Sequence, residues 1–215
     1  MPPAVPLESG QYYHVYSRGV NRTNIFMEDR NYAYFMQLYA KYVVPVADTL
    51  AYCLLRNHFH VLVRIRDDRR DCEGPRGNED RRGFRNRSGL DSLDSRIVGQ
   101  AFNNWLNAYA KGINKAYGRT GGLFQRHFGR LPVTSDRYFV ALVHYIHYNP
   151  QKHGFVTDFR EWPYSSYHAL LSDKDTRLER AVVLDWFGGP QALREFHATL
   201  VDEASIGAII GEDEI

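Results

Sequence analysis

Residues 55–63, LRNHFHVLV, are the feature that most constrains what this chain can fold into. The apolar runs AYCLL and VRI flank this segment, and their composition is typical of β-strands. Arg56 and Asn57 lie between the runs and indicate a tight turn, because asparagine tolerates positive φ. We therefore predict a hairpin formed by strands at residues 48–55 and 58–66.

Two histidines, His58 and His60, occupy alternate positions at the start of the second strand. Side chains two residues apart on a strand point to one face, so both imidazoles face the same way, opposite to Phe59 and Val61. A strand that only supplied a core would not need two titratable rings side by side. The pair can ligate a divalent cation, but two ligands rarely suffice, so a third ligand must come from elsewhere.

Hydrophobic periodicity predicts the other elements, with strands at 11–18 and 123–133 and helices at 28–44, 91–117, 136–148, 164–171 and 190–200. Pro150 should end the helix at 136–148, because the residue before a proline avoids the helical region. The order βαββαβα indicates an α+β fold, with one ferredoxin-like or RRM-like antiparallel sheet and helices packed on it. We expect this domain at residues 1–160, with a mobile loop at 67–90, and a helical C-terminal extension at 161–215.

The composition is that of an ordinary globular protein, with 44% hydrophobic and 24% charged residues. The net charge of +2 argues only weakly for an anionic partner, whereas the aromatic content of 14% is high enough to allow base stacking. The two cysteines do not suggest a disulfide framework. The N-terminal segment lacks the pattern of a secretory signal, and no run approaches a membrane span. We therefore expect a cytoplasmic protein without a membrane partner.

The predicted helix at 136–148 carries Tyr145, and Asn149 follows four residues later. Residues four apart on a helix lie one above the other, so this pair shares one edge of the apolar stripe. Asn149 can supply an amide oxygen and Tyr145 a phenolic oxygen beside the paired histidines. The stripe itself consists of Phe139, Leu142, Val143 and Ile146.

Four segments carry a resemblance to a known family, namely SRGVNRTNIF, LAYCLLRNHFHVLV, YGRTGGLFQRHFGR and SDRYFVALVHYIHYNPQKHGFV. In this order they resemble the HUH single-strand endonucleases, in particular the single-tyrosine transposases of insertion sequences and, most closely, the REP-associated tyrosine transposases. The later segment EWPYSSYHAL is similar to the continuation in that group. Together these segments cover most of residues 11–170. Arg56 is a departure, since the family usually has proline there, and it adds a cation beside the site.

The resemblance implies a mechanism in which Tyr145 attacks a phosphodiester of single-stranded DNA and forms a 5′-phosphotyrosine with a free 3′-OH. It also implies that His58, His60 and Asn149 hold a divalent metal, Mg²⁺ or Mn²⁺, that acts on the scissile phosphate. The implied partner is single-stranded or hairpin DNA of palindromic repeats. Related insertion-sequence transposases are dimers, whereas the palindrome-associated group is monomeric, so a monomer is favoured and a dimer is possible.

Six arginines outside the loop at 67–90 are candidates for DNA contact. They lie near Tyr117, Phe124 and Phe128, and such a basic and aromatic mixture suits phosphate contact with base stacking. The arginines within the loop are interspersed with acidic residues, so a solvated mixed-charge loop explains them equally well. The six candidates are Arg18, Arg22, Arg56, Arg119, Arg126 and Arg130.

Other interpretations of the same residues remain open. His58 and His60 could be two satisfied strand histidines, and Tyr145 could be an aromatic residue at the margin of the core. A sheet of this topology can bind nucleic acid without any chemistry, as RRM-like modules do. His127 could complete a three-histidine zinc site in a hydrolase. We expect His144 and His147 to be surface or packing residues.

Overall fold

The structure is a computed structural model that describes residues 5–67 and 94–199 of the 215-residue chain. Except for Asp67, the predicted loop at 67–90 lies outside the described residues, as does the end of the chain after residue 199. Within the described residues the chain forms an antiparallel sheet with the strand order β2-β3-β1-β4. Its strands are β1 (Tyr12–Arg18), β2 (Ala47–Leu55), β3 (His58–Ile65) and β4 (Gly129–Val133).

The predicted hairpin is confirmed, because β2 pairs antiparallel with β3 and Leu55 lies opposite His58. The two-residue turn between them is tied to the rest of the chain through its carbonyl groups. The Arg56 carbonyl accepts hydrogen bonds from the backbone N–H groups of Ile25 and Phe26, at 2.8 and 3.0 Å. These bonds hold the end of the hairpin, and therefore the first histidine of β3, in a defined position.

Helices cover both faces of the sheet, which explains why β2 and β3 are apolar on both sides. One face packs against α1 (Asp29–Tyr42) and α2 (Ser95–Ala116), where the buried Trp105 donates its indole N–H to the Phe35 carbonyl at 3.1 Å. The other face carries Leu62 of β3 and packs against α3 (Asp136–Lys152). The strand alternation therefore directs His58 and His60 toward α3.

The prediction that Pro150 ends the third long helix is wrong, because α3 continues through Pro150 to Lys152. Pro150 lies in the last turn, where the penalty for the residue before proline is a preference and not a prohibition. Asn149 and Pro150 are both buried, so tertiary packing outweighs that local preference. As a result Asn149 lies inside the helix, one turn after Tyr145.

The predicted strand at 123–133 is shorter in the structure and begins only at Gly129. His127 has a positive φ of 62°, which is incompatible with a continuous strand, and the segment before it is irregular. Phe124 still makes an isolated bridge to Gly19, so this segment lies beside the end of β1. Among the described residues, no helix combines the length and the apolar character that crossing a bilayer requires.

The C-terminal part contains α4 (Tyr167–Leu171), α5 (Arg180–Phe187) and α6 (Pro190–Ala198), of which α5 was not predicted. This part covers the open edge of β2, since the backbone N–H of Leu54 bonds to the Tyr164 carbonyl and that of Glu179 to the Thr49 carbonyl. The extension thus continues the core packing and protects an edge strand.

His147 and His197 join α3 to α6 in the interior. The Leu193 carbonyl can only accept, so His197 Nδ1, 2.9 Å away, carries a proton, and His197 Nε2 accepts from His147 Nδ1 at 2.8 Å. His147 Nε2 then accepts from the Ser166 hydroxyl at 2.8 Å. The rings of His147 and of its neighbour His144 are buried, so both are packing residues and neither lies on the surface.

Candidate active site

Side chains from β1, β3 and α3 converge on the face of the sheet beneath α3. β1 is the direct neighbour of β3, with Tyr16 opposite His60 and Arg18 opposite His58. Alternation along both strands therefore places their even-numbered residues on the same face. The converging side chains are His14, Tyr16 and Arg18 of β1, His58 and His60 of β3, and Tyr145, Asn149 and Lys152 of α3.

His58 and His60 are almost completely buried, with exposed fractions of 2% and 0%. His58 Nδ1 lies 2.7 Å from Asn57 Oδ1, which can only accept, so the proton of His58 is on Nδ1 and its Nε2 carries a lone pair. Burial, with smaller effects from His153 and Arg18, lowers the pKa of His58 to about 3, while Asn149 opposes the shift. Burial also lowers the pKa of His60 well below its usual value. Both rings are therefore neutral at physiological pH, the form that binds metals.

Asn149 is fully buried and donates its side-chain N–H to the Tyr145 carbonyl at 2.8 Å. Its Oδ1 has no hydrogen-bond partner within the described residues, and the same holds for the Nε2 atoms of His58 and His60. Three buried polar atoms without partners among the described residues are unfavourable in a native fold unless something binds them. Two neutral imidazoles and one amide oxygen fit a divalent cation that accepts mixed nitrogen and oxygen ligands.

Tyr145 lies next to these candidate ligand residues and is 4% exposed. Its ring centroid is 5.5 Å from that of His60, and the two ring planes are nearly perpendicular. The Lys152 ammonium lies 5.2 Å from the centroid of the Tyr145 ring. Burial and the charge of Arg22 lower the pKa of Arg18, and the interaction with Tyr145 raises it, so the guanidinium also acts on this phenol. Tyr145 therefore lies close to the candidate ligand His60 and interacts with two cations, Arg18 and Lys152.

Sequence reasoning missed His14, Tyr16 and Lys152. His14 is fully buried, and its Nε2 lies 2.9 Å from His60 Nδ1. The ring of Tyr16 stacks over His60 at 6.2 Å. A signal was present, because His14, Tyr16 and Arg18 alternate along β1 and must share a face. Only the pairing of β1 with β3 shows that this is the face of the two histidines.

The six arginines predicted for DNA contact lie at different distances from this centre, and their function stays a prediction. Arg18 is half-buried at the site, and Arg56 is exposed in the hairpin turn beside His58. The backbone N–H of Gln125 bonds to the Arg18 carbonyl at 2.8 Å, which brings the segment with Arg126 next to β1. Arg22 and Arg126 are exposed, whereas Arg119 and Arg130 are half-buried.

The aromatic residues expected near these arginines do not form a free stacking platform. Phe128 is buried, and the Arg130 guanidinium lies 5.0 Å from the centroid of its ring. Phe124 packs against the core beneath α1 and α2. The Tyr117 hydroxyl donates to Glu28 at 2.7 Å. These rings serve the packing between the sheet and its helices.

His127 does not complete a three-histidine zinc centre. Its side chain is exposed. Within residues 5–67 and 94–199 no three His, Cys, Asp or Glu side chains are grouped so that they could hold a metal ion. The buried polar atoms without partners among the described residues include those of two histidines and an asparagine, a candidate ligand set that would suit a weakly held hard cation better than structural zinc.

Comparison with known proteins identifies the family. No family model matches the chain. A protein of Haemophilus influenzae named as a REP-associated tyrosine transposase is 30% identical over 146 residues, which are 66% of this chain and 68% of the relative. A solved structure described as a REP-associated tyrosine transposase bound to a REP hairpin has a TM-score of 0.53 at 15% identity, over 80% of this chain and 86% of that chain, and shows the same fold. The chain therefore belongs to the family of REP-associated tyrosine transposases.

Proposed function

We propose that this chain is a metal-dependent endonuclease and strand transferase that cleaves hairpin-associated single-stranded DNA through a 5′-phosphotyrosine intermediate. The observation that carries the proposal is the position of Tyr145 beside three buried polar atoms without partners in the described residues, His58 Nε2, His60 Nε2 and Asn149 Oδ1. Membership of the family supports it, as does the similar solved structure, which is described as bound to a REP hairpin.

His58, His60 and Asn149 would hold the cation, for which Mg²⁺ and Mn²⁺ fit the neutral nitrogen and oxygen donors. When bound, the ion supplies Lewis acidity toward the scissile phosphate. Burial holds both imidazoles in the neutral form that can bind a metal. The Asn57 oxygen keeps the His58 proton on Nδ1, so His58 Nε2 retains its lone pair.

Tyr145 must lose its phenolic proton to become an effective nucleophile, although a free tyrosine has a pKa of about 10. The positive charges of Arg18 and Lys152 favour the phenolate electrostatically. The Tyr145 oxygen then forms a bond to phosphorus while the bond from phosphorus to the 3′ oxygen breaks, and that oxygen gains a proton to become a hydroxyl. The phosphotyrosine conserves the energy of the broken bond for rejoining.

We further propose that residues 1–160 form the catalytic domain and residues 161–215 an extension that supports α3. His147 Nδ1 lies 2.8 Å from His197 Nε2, which ties α3 to α6 of the extension. We also propose that the chain acts as a monomer, which the convergence of these side chains within one chain supports. The exposed Arg22, Arg56 and Arg126 suit contact with the phosphates of a hairpin.

The test uses 3′-labelled hairpin oligonucleotides with randomised single-stranded flanks, incubated with the protein and Mg²⁺ or Mn²⁺ and separated on denaturing gels. We expect cleavage and a covalent protein–DNA species, and neither with chelator or with a perfect linear duplex. Tyr145→Phe should abolish both products, whereas Tyr148→Phe, on the same helix, should retain them. A normal adduct from Tyr145→Phe would refute the assignment of the nucleophile. Hairpin binding without cleavage would instead indicate an RRM-like binding protein.

A further inference from the structure

His14 is a buried histidine with no role in the mechanism described above. Its ring nevertheless contacts both His60, a proposed metal ligand, and Tyr145, the proposed nucleophile. Its ring stacks on that of His60, with centroids 5.1 Å apart and planes 20° apart. It also meets the ring of Tyr145 edge-on, at 6.3 Å. Its only hydrogen bond within the described residues joins His14 Nε2 to His60 Nδ1 at 2.9 Å.

This hydrogen bond is ambiguous, because each imidazole can donate or accept through either nitrogen. If His60 Nδ1 donates to His14 Nε2, then His60 Nε2 carries a lone pair and can bind a metal. If His14 Nε2 donates instead, His60 Nε2 carries the proton and cannot bind one. The bond between the two rings thus decides whether His60 is a ligand.

His58 and His60 differ in the number of proton positions that their hydrogen bonds allow. His58 has one possible arrangement, because its Nδ1 faces the oxygen of Asn57, which cannot donate. His60 faces a second imidazole and therefore has two. Each arrangement leaves one buried N–H without a partner in the described residues, on His14 Nδ1 in one case and on His60 Nε2 in the other. A metal bond to His60 Nε2 favours the first.

We propose that His14 is a positioning residue that accepts the Nδ1 proton of His60 and thereby keeps its Nε2 free for the metal. The inference rests on the proposed function, in which His60 is a ligand. Partners of this kind orient metal-binding histidines, and their loss typically weakens metal affinity by about 10–100-fold. Without that acceptor, neither ring nitrogen of His60 would have a hydrogen-bond partner among the described residues, so the proton would no longer be held on Nδ1 and Nε2 would no longer be kept free.

Two substitutions separate the acceptor from the ring. His14→Phe keeps an aromatic ring for packing but removes the acceptor, and we expect Mn²⁺ affinity to fall by about 10–100-fold. His14→Gln places an amide oxygen near the position of His14 Nε2, so it should restore the acceptor. We expect it to recover at least half of the lost Mn²⁺ affinity, measured as the change in log Kd. His144→Phe is the matched control, because His144 is also buried but packs against Tyr148 and Phe196, away from the ligand set.

The experiment measures Mn²⁺ binding to the full chain without DNA, from the electron paramagnetic resonance signal of free Mn²⁺. ¹⁵N NMR of the histidine-labelled, metal-free protein reports which nitrogen of His60 carries the proton. We expect the proton on Nδ1 in the wild type and in His14→Gln, and divided between Nδ1 and Nε2 in His14→Phe. These readouts do not depend on cleavage activity.

The outcomes distinguish this inference from the proposed function. Wild-type protein that binds no Mn²⁺ refutes the metal site itself. Wild-type protein that binds Mn²⁺ while His14→Phe matches His144→Phe in affinity overturns the role of His14. A proton on Nε2 of His60 in the metal-free wild type also overturns it, and this measurement stands even if His14→Phe fails to fold.

Discussion

Acidification should destabilise this protein over a pH range set by its buried histidines. Six of the nine histidines have a pKa lowered by burial, in most cases to between about 3 and 4. They are neutral in the folded chain, whereas in the unfolded chain they bind protons below the ordinary value of 6.5. The stability that depends on their neutral state is therefore present above pH 6.5 and is lost progressively toward pH 3. The six are His14, His58, His60, His144, His147 and His197.

The size of this effect follows from proton linkage. At pH 5.5, one unit below the pKa of a histidine in the unfolded chain, each histidine that stays neutral in the folded chain lowers the free energy of unfolding by about 1.4 kcal/mol. Six such groups together cost up to about 8 kcal/mol, which is comparable with the entire stability of a typical domain, about 5–15 kcal/mol. At pH 7.5 the cost is below about 0.1 kcal/mol per group. We therefore expect a chain that is stable at pH 7.5 and close to unfolding at pH 5.5.

The assay is urea unfolding followed by tryptophan fluorescence at several pH values between 5.5 and 7.5, with chelator present so that no metal holds the ligands. The slope of unfolding free energy against pH gives the number of protons taken up, which should be about five near pH 5.5. His197→Phe should lower this number by about one. His127→Gln is the control, because the His127 side chain is exposed in the folded chain. An uptake of fewer than about two protons in the wild type would refute the reasoning.

Four further substitutions test other parts of the structure. Asn149→Ala should weaken metal-dependent cleavage, because one of three proposed ligands is lost, and a higher Mg²⁺ concentration should partly restore the cleavage. A loss that added Mg²⁺ does not restore would contradict this. Lys152→Gln should slow cleavage by about tenfold near pH 7 and less at higher pH, where the phenol ionises unaided; a pH-independent loss would argue against electrostatic assistance. Gly129→Ala should lower stability by about 1–3 kcal/mol in urea, because an added Cβ would lie 2.1 Å from the ring of Tyr16, and an unchanged midpoint would contradict the packing. Trp105→Ala should cost about 3–5 kcal/mol, measured in the same way, because the side chain is fully buried.

Local pattern was sufficient for much of the site. Apolar runs around Arg56 and Asn57 predicted the hairpin, and alternation along β3 predicted that His58 and His60 share a face. The four-residue spacing of Tyr145 and Asn149 placed them on one edge of a helix. All of these properties follow from the periods of strands and helices, which depend on neighbouring residues and are readable from the chain.

Where local preference and tertiary packing conflicted, packing decided the outcome. The proline rule predicted that the helix would end before Asn149, but burial of Asn149 and Pro150 keeps the helix intact as far as Lys152. Phe124 and Phe128 have the composition of a stacking surface, yet they lie in or against the core. The sequence carries no local signal for these outcomes, because they depend on which elements cover which face.

The sequence alone therefore indicated several candidate residues, although not His14, Tyr16 or Lys152, and predicted which face of its own element each candidate would occupy. Only the tertiary structure decided which faces meet. His14 lies beside His60 because β1 pairs with β3 across 46 residues of chain, and His147 meets His197 because α6 folds back onto α3. Such contacts between distant segments are set by the burial of whole faces, which no local period encodes. In the proposed role of His14, such a distant contact also holds the proton of His60 on Nδ1, whereas the proton of His58 is held by its neighbour Asn57.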